Sequence, residues 1–108
     1  MVGNIYLSKI YFTDLSEYKI RPVLVIKELD KEDVICLQLS SQIKENRIII
    51  TNKDLIDGNL LKKSVVIVPK NFTLNKVTLI KYIGKILDEK FQIIYQKFCN
   101  DLNCKELK

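Results

Sequence analysis

The apolar residues of this chain come in short runs separated by polar segments, and this spacing limits the folds open to it. The longest uninterrupted runs, such as residues 23–26 and 65–68, contain four residues each. A membrane-spanning helix needs about 20 consecutive apolar residues, so no membrane span is expected. Short runs bounded by polar residues are typical of β-strands. The pattern therefore favours a small, mainly β domain.

Six strands are predicted from these runs and from alternating apolar residues. The first contains Ile5, Leu7 and Ile10, and the others cover residues 22–26, 34–39, 47–50, 65–68 and 79–86. The second is almost entirely aliphatic, which indicates burial on both faces, as in a closed or strongly curled sheet. Pro69 is predicted to end the fifth strand because its nitrogen cannot donate a hydrogen bond, and Gly84 to bend the sixth.

A helical period replaces the strand pattern in residues 87–102. Asp88 is predicted to be the N-cap, and Glu89 favours the positive end of the helix dipole. The apolar residues at helical spacing are Phe91, Ile94, Tyr95, Phe98 and Leu102. This amphipathic helix of about four turns is expected to pack on the sheet. A shorter helix or turn is predicted around Asp57 and Gly58, and the fold class is a small, mainly β barrel with a C-terminal α-helix.

Composition narrows the function classes. The 108 residues fit one domain over residues 1–108, and a net charge of +5 favours polyanionic partners such as nucleic acid, although many basic proteins bind none. There is no histidine, which excludes Ser-His and Cys-His triads and mixed zinc sites. Three cysteines cannot all pair, so neither a disulfide framework nor a metal or other cofactor is expected. The N-terminus lacks a signal-peptide pattern, so a cytoplasmic location is expected.

One of the two arginines, Arg21, stands directly before Pro22 at the predicted start of the second strand. If the second and third strands form an antiparallel hairpin, the start of one lies beside the end of the other. Arg21 and Ser40 are then neighbours. Arginine donates two parallel hydrogen bonds to a phosphate and keeps its charge, and a serine hydroxyl adds another donor. The ordinary alternatives are a rim arginine paired with Glu17 or Glu28, and a polar turn at Ser40.

The order of several segments resembles the MazF/PemK toxin family. No single motif decides the likeness, which rests on order and spacing over essentially the whole chain. The segments are GNIYL at 3–7, YFTD at 11–14, RPVLVI at 21–26, LQLSS at 37–41, LKKSVV at 61–66, FTL at 72–74, IGKI at 83–86 and the closing helix.

This resemblance implies an SH3-like β-barrel that forms homodimers and acts as the toxin of a toxin-antitoxin pair. It implies a metal-independent endoribonuclease that cleaves single-stranded RNA to 2′,3′-cyclic phosphate and 5′-hydroxyl ends, and a cognate antitoxin protein that neutralises it. The arginine of the family's Arg-Pro motif falls on Arg21. The family's functional threonine falls on Ser40, which retains the hydroxyl. Both are therefore candidate catalytic residues.

Five further residues are candidate substrate-binding residues: Glu17, Lys19, Ser41, Gln42 and Lys70. Glu17 is also a possible proton acceptor, and Lys19 and Lys70 are candidate phosphate contacts. Many family members carry a glutamine and an arginine after the fifth strand, where this chain has Pro69-Lys70-Asn71-Phe72, so its RNA contacts are expected to differ. Base stacking is expected from one or two of Tyr11, Phe12 and Tyr18.

Two other functions remain open on the same barrel. The first is a non-catalytic module that binds nucleic acid or protein, which the departures around Lys70 favour. The second is a toxin that acts on a protein such as gyrase, as the related barrel of CcdB toxins does through its C-terminal residues. The C-terminal sequence CKELK offers no support for this second function.

Overall fold

The protein is described by a computed structural model that covers residues 1–11, 17–44 and 47–102 and consists mainly of β-strands. The strands are β1 (Asn4–Tyr11), β2 (Tyr18–Glu28), β3 (Asp33–Ser40), β4 (Ile48–Ile50), β5 (Leu55–Gly58), β6 (Ser64–Asn75) and β7 (Leu79–Ile86), followed by helix α1 (Asp88–Asp101). Two short 3-10 helices, Asn52–Asp54 and Lys76–Thr78, precede β5 and β7. The predicted fold class, a mainly β domain with a C-terminal helix, is confirmed. No helix within these ranges is long and apolar enough to cross a membrane.

The strands form one curled antiparallel sheet in the order β4-β6-β3-β2-β1-β7-β5. The 3-10 helix Lys76–Thr78 connects β6 to β7, which lie far apart in this order, so the sheet must curl to bring them together. Ser8 of β1 is buried, and its hydroxyl lies 3.1 Å from the carbonyl oxygen and 3.2 Å from Oγ1 of Thr78. These contacts fix the connection against β1. The result is a half-barrel.

Apolar residues fill both sides of the central strands. On one side, Ile5, Leu24 and Leu37 pack with Ile94 of α1. On the other side, a second cluster contains the fully buried residues Val23, Val25, Val34 and Cys36. β2 is therefore buried on both faces, as its aliphatic sequence predicted. Burial in this second cluster raises the pKa of the Cys36 thiol to about 12, so Cys36 behaves as a small apolar residue.

Two predictions about prolines are wrong. β2 begins at Tyr18, so Pro22 lies inside the strand, opposite Leu7, rather than at its entry. β6 does not end at Pro69 but continues to Asn75. Its pairing with β3 skips from Leu39↔Val66 to Leu37↔Asn71, so residues 67–70 form an irregular segment opposite Gln38. Because no regular pair is formed there, the strand passes the proline without needing its amide.

Two predictions from local turn and cap signals are also wrong. Asp57 and Gly58 belong to edge strand β5 and pair with Lys85 and Gly84 of β7, because pairing with β7 overrides the local turn preference. The N-cap of α1 is Leu87, which makes Asp88 the first helical residue. Asp88 and Glu89 still lie in the first turn, where a negative charge is favourable. The predicted irregularity at Gly84 is confirmed by the shift in register beside it.

Candidate functional site

The register of β2 and β3 positions Arg21 and Ser40. The predicted hairpin is present, with Val23 paired to Gln38. The β2–β3 pairing ends at Val23, and the same register extended two residues further would put Arg21 across from Ser40. On the other side of β2, Arg21 pairs with Ser8 of β1. Residues directly opposite each other in an antiparallel pair project from the same face. Arg21 and Ser40 therefore share one face at one end of the sheet, which we call the Arg21–Ser40 end.

The Arg21 side chain is half-buried and only partly engaged. Its Nη1 donates to the carbonyl oxygen of Ile20 at 3.0 Å. None of the ion pairs within the described residues involves Arg21, and Glu28 pairs with Lys76 at 3.2 Å instead. A guanidinium carries five N–H donors. Among the described residues, most of the N–H donors of Arg21 therefore have no partner and can bind an anion.

Ser40 ends β3 and begins a turn. Its Oγ accepts a hydrogen bond from the backbone N–H of Gln42 at 3.1 Å. Ser41 and Gln42, which follow it, are exposed. The turn uses the hydroxyl as an acceptor, so the hydroxyl proton is still available to a ligand. Ser40 thus serves the turn through its hydroxyl oxygen, and its hydroxyl proton can still be donated to a ligand.

Glu17, directly before β2, and Lys19, inside β2, are both exposed and precede Arg21 by four and two residues. Lys19 pairs with Ile10 and lies two residues from Arg21, so the two project from the same face of β2. Tyr18 projects from the opposite face. Its ring lies 5.5 Å from that of Tyr11 and 4.9 Å from Nζ of Lys9. The structure therefore places Lys19, and not Tyr18, on the face of Arg21, while Phe12 lies outside the described residues.

Lys70 lies on a different strand, two strands away from Arg21. It belongs to the irregular segment of β6 opposite Gln38, and β3 separates that segment from β2. Its side chain is exposed, with Nζ 5.7 Å from the centre of the Phe72 ring. The neighbouring Asn71 donates from Nδ2 to the carbonyl oxygen of Pro69 at 3.0 Å. Lys70 therefore lies to one side of the Arg21–Ser40 end and is not part of it.

Two lysines at this end were not predicted from the sequence as site residues. Ser40 pairs with Val65 of β6, so Lys62 and Lys63, just before β6, lie beside the turn that follows Ser40. Their position depends on the β3–β6 register, which no local pattern specifies. Within the described ranges, no group of three or more His, Cys, Asp or Glu side chains could hold a metal ion.

Comparison with known proteins agrees with this architecture. The family described as "PemK-like, MazF-like toxin of type II toxin-antitoxin system" matches residues 2–101. No curated protein sequence matches the chain. The solved structures with similar folds include three of low sequence identity, which show the likeness of the fold alone.

The first is an endoribonuclease in complex with its cognate antitoxin from a mycobacterial species, with a TM-score of 0.72, 17% identity, and coverage of 95% of this chain and 92% of that one. The second is the Mycobacterium tuberculosis toxin MazF-mt6, with a TM-score of 0.71, 19% identity, and coverage of 93% and 96%. The third is an endoribonuclease from a mycobacterial species, with a TM-score of 0.73, 16% identity, and coverage of 95% and 90%. Because the family match spans nearly all of the sequence, the chain belongs to the family of PemK-like, MazF-like toxins of type II toxin-antitoxin systems.

Proposed function

We propose that this chain cleaves single-stranded RNA at the Arg21–Ser40 end, leaving 2′,3′-cyclic phosphate and 5′-hydroxyl ends. Membership of the PemK-like, MazF-like family makes it a toxin of the endoribonuclease class. The observation that supports the proposal is the β2–β3 register, which, extended two residues past the Val23↔Gln38 pair, puts a partly engaged arginine and a hydroxyl on one face. These two groups suit a phosphodiester.

The reaction needs no external nucleophile and no metal. The ribose 2′-oxygen attacks the adjacent phosphorus, the bond from phosphorus to the 5′-oxygen breaks, and one proton passes from the 2′-hydroxyl to the leaving oxygen through an acceptor and a donor. Arg21 stabilises the charge that develops on the phosphoryl oxygens, and the Ser40 hydroxyl donates a second hydrogen bond there. Glu17, exposed directly before β2, is our candidate proton acceptor.

Other candidate residues surround this centre. Lys19, on the face of Arg21, contacts the phosphate backbone in this proposal. Ser41 and Gln42, exposed after Ser40, contact the substrate next to the scissile bond. Lys70 contributes a cation on the flank, two strands from Arg21.

The proposed partners follow from the family and from the position of the site. One of the three similar structures is an endoribonuclease in complex with its cognate antitoxin. We expect an antitoxin to neutralise this chain by covering the Arg21–Ser40 end with an acidic or apolar segment. A homodimer and a cytoplasmic location complete the proposal.

A non-catalytic nucleic-acid-binding or protein-binding module is the second candidate. It is favoured by the Ser40 hydroxyl, which already serves the Gln42 turn, and by Lys70, which lies against Phe72. The two functions differ in their products. New 2′,3′-cyclic phosphate ends identify the enzyme, whereas RNA that is bound and recovered intact identifies the module.

The proposal predicts that Arg21→Ala loses cleavage, whereas Arg47→Ala retains it. Loss of a charge-stabilising donor lowers kcat by about 100-fold to 1,000-fold, and Arg21→Lys recovers only part of the activity because lysine lacks the planar fork. The measurement is the initial rate of cleavage of labelled single-stranded RNA by antitoxin-free protein. Arg47, the other arginine, is half-buried just before β4 and serves as the matched control. Undiminished cleavage by folded Arg21→Ala protein would remove Arg21 from the mechanism.

A further inference from the structure

We propose that Lys53, Lys62 and Lys63 form a second phosphate-binding surface, the lysine rim, which holds the RNA backbone beside the Arg21–Ser40 end. This inference rests on the proposed function. It identifies the surface that binds the RNA backbone beyond the scissile phosphate. All three lysines are exposed. Together with Thr51 and Leu60 they line an open depression of about 500 Å³.

The sheet register places the rim next to the site. Ser40 pairs with Val65 of β6, and the β2–β3 register extended past Val23 puts Arg21 in the same row. Adjacent strands are about 4.8 Å apart, so roughly 10 Å separate the backbones of Arg21 and Val65. Lys63 lies only two residues before Val65. A strand of RNA bound at Arg21 therefore reaches the rim within a few nucleotides.

The loop that carries Lys62 and Lys63 is held in place at both ends. At its start, the Asn52 side chain accepts from the backbone N–H of Leu60 at 2.7 Å and donates to its carbonyl oxygen at 3.4 Å. At its end, the Ser64 hydroxyl donates to the carbonyl oxygen of Lys62 at 3.0 Å. Leu60 is buried, which anchors the loop further. These contacts give the lysines fixed backbone positions, so less entropy is lost when a polyanion binds.

The charges around the rim leave its positive potential intact. The nearest carboxylate in sequence, Asp54, accepts from the backbone N–H of Thr51 at 2.9 Å and lies 3.8 Å from Nζ of Lys90. None of the ion pairs within the described residues involves Lys53, Lys62 or Lys63. Clustered lysines with no paired carboxylate attract polyanions and release their counterions on binding.

The exposure of Leu61 favours a nucleic acid with unpaired bases as the ligand. Its side chain is fully exposed, at 102% relative accessibility, between Leu60 and the two lysines. Single-stranded RNA offers both a charged backbone and apolar base faces, whereas duplexes keep their bases stacked inside. We therefore assign single-stranded RNA to this surface in preference to an acidic protein segment.

The test compares two variants that remove equal charge. The double variant Lys62→Gln/Lys63→Gln alters the rim. The control, Lys27→Gln/Lys31→Gln, alters exposed lysines at the β2–β3 turn, which is the end of the β2–β3 hairpin opposite to Arg21 and Ser40. The probe is a fluorescein-labelled, mixed-sequence 20-nucleotide RNA with 2′-fluoro riboses, which lack the attacking hydroxyl. Its affinity is measured by anisotropy at several salt concentrations. Thermal unfolding of both variants checks that each is folded.

The rim variant is expected to bind more weakly and with a shallower salt dependence. Each lost phosphate contact lowers the slope of log K against log salt by about 0.7, so two lost contacts lower it by about 1.4. The β2–β3 control is expected to keep the wild-type slope. Equal slopes for the two variants, or wild-type binding by the rim variant, would overturn the inference. So would a rim variant that binds the probe normally but loses affinity for the antitoxin.

Failure of the proposed function is distinguishable from failure of the rim. Unmodified RNA is incubated with wild-type protein in parallel, and its ends are analysed. Wild-type protein that cuts nothing, while the rim variant still shows the shallower slope, would contradict RNA cleavage and support the rim as a nucleic-acid surface. If wild-type protein cleaves RNA but the rim variant keeps the wild-type salt slope, the result would support RNA cleavage and contradict the rim.

Discussion

Ser40 is the residue at which local structure and proposed chemistry meet. Its Oγ accepts a hydrogen bond from the Gln42 N–H, which is the usual role of a serine after a strand, whereas its proposed position opposite Arg21 follows from extending the β2–β3 register past Val23. One hydroxyl serves both purposes because it accepts with a lone pair and donates with its proton. Arg21 likewise uses one N–H for the Ile20 carbonyl oxygen and keeps the others. Substitution of Ser40 can distinguish its role in the turn from its proposed role in cleavage.

Ser40→Ala is predicted to lower kcat for RNA cleavage by about 100-fold, because one donor to the phosphoryl oxygens is lost. Ser40→Thr keeps the hydroxyl and should retain most of the activity. Steady-state cleavage rates of the two variants provide the measurement. The lost turn hydrogen bond costs only about 0.5–1.5 kcal/mol of unfolding free energy. If Ser40→Ala cleaves at the wild-type rate, the hydroxyl serves the turn alone.

At the scale of the elements, the contact between β5 and β7 depends on glycine. Gly58 has φ of 82°, and a Cβ atom there would overlap the carbonyl oxygen of Ile83. Gly3 has a similar φ of 87°, but a Cβ atom there would lie 3.7 Å from Cγ2 of Ile86, an ordinary contact. The two glycines share a backbone conformation and differ in the space beside them.

Gly3→Ala is predicted to cost about 1–2 kcal/mol of unfolding free energy, the cost of a left-handed conformation for an L-residue. Gly58→Ala should cost about 1–3 kcal/mol more, because β5 must also move away from β7. Urea unfolding of both variants measures the difference. Equal losses would mean that β5 and β7 do not approach as closely as the structure indicates.

The turn between β2 and β3 depends on a carboxylate. Asp30 Oδ1 accepts from the backbone N–H groups of Glu32 and Asp33, each at 2.8 Å. The hydrogen bond from Asp33 and then that from Glu32 hold the pKa of Asp30 below its usual value of 3.8. A lowered pKa in the folded state means that the ionised carboxylate stabilises the fold above pH 3.8, and that this stabilisation is lost as the pH falls through the folded-state pKa.

Asp30→Asn is therefore predicted to destabilise the protein at neutral pH, by an amount that shrinks as the pH falls below 3.8. Unfolding curves of wild type and variant at neutral and acidic pH give this difference, in which the titration of other carboxylates cancels. The idea fails if the difference in unfolding free energy between the two proteins is the same at both pH values.

At the scale of the whole molecule, α1 closes one face of the half-barrel. Ile94 is fully buried against the cluster that contains Ile5 and Leu24, with Phe91 and Phe98 packed at its edge. The next residue toward the N-terminus, Ile93, is 56% exposed. Adjacent isoleucines thus occupy opposite environments on one helix.

Ile94→Ala is predicted to cost about 2–5 kcal/mol of unfolding free energy, because the cavity it leaves lies between helix and sheet. Ile93→Ala should change it by less than about 0.5 kcal/mol. Chemical denaturation of the pair measures how much the helix contributes to the fold. Similar losses in the two variants would show that α1 does not pack through Ile94.

Local sequence patterns were enough to establish the class of fold, the aliphatic central strand buried on both faces and the closing helix. These follow from periodicity, which records which faces of an element are buried. The sequence also predicted that Arg21 and Ser40 are neighbours, since a hairpin joined by a short turn brings its two ends together.

The pairing of distant segments was settled by the tertiary structure alone. Asp57 and Gly58 carry a turn signal but form β5 because β7 supplies their hydrogen-bonding partners. Lys62 and Lys63 lie beside Ser40 because β6 pairs with β3 in one register. Pairing between strands far apart in the chain is set by the fit of complete sheet faces, and no short window of sequence contains that information.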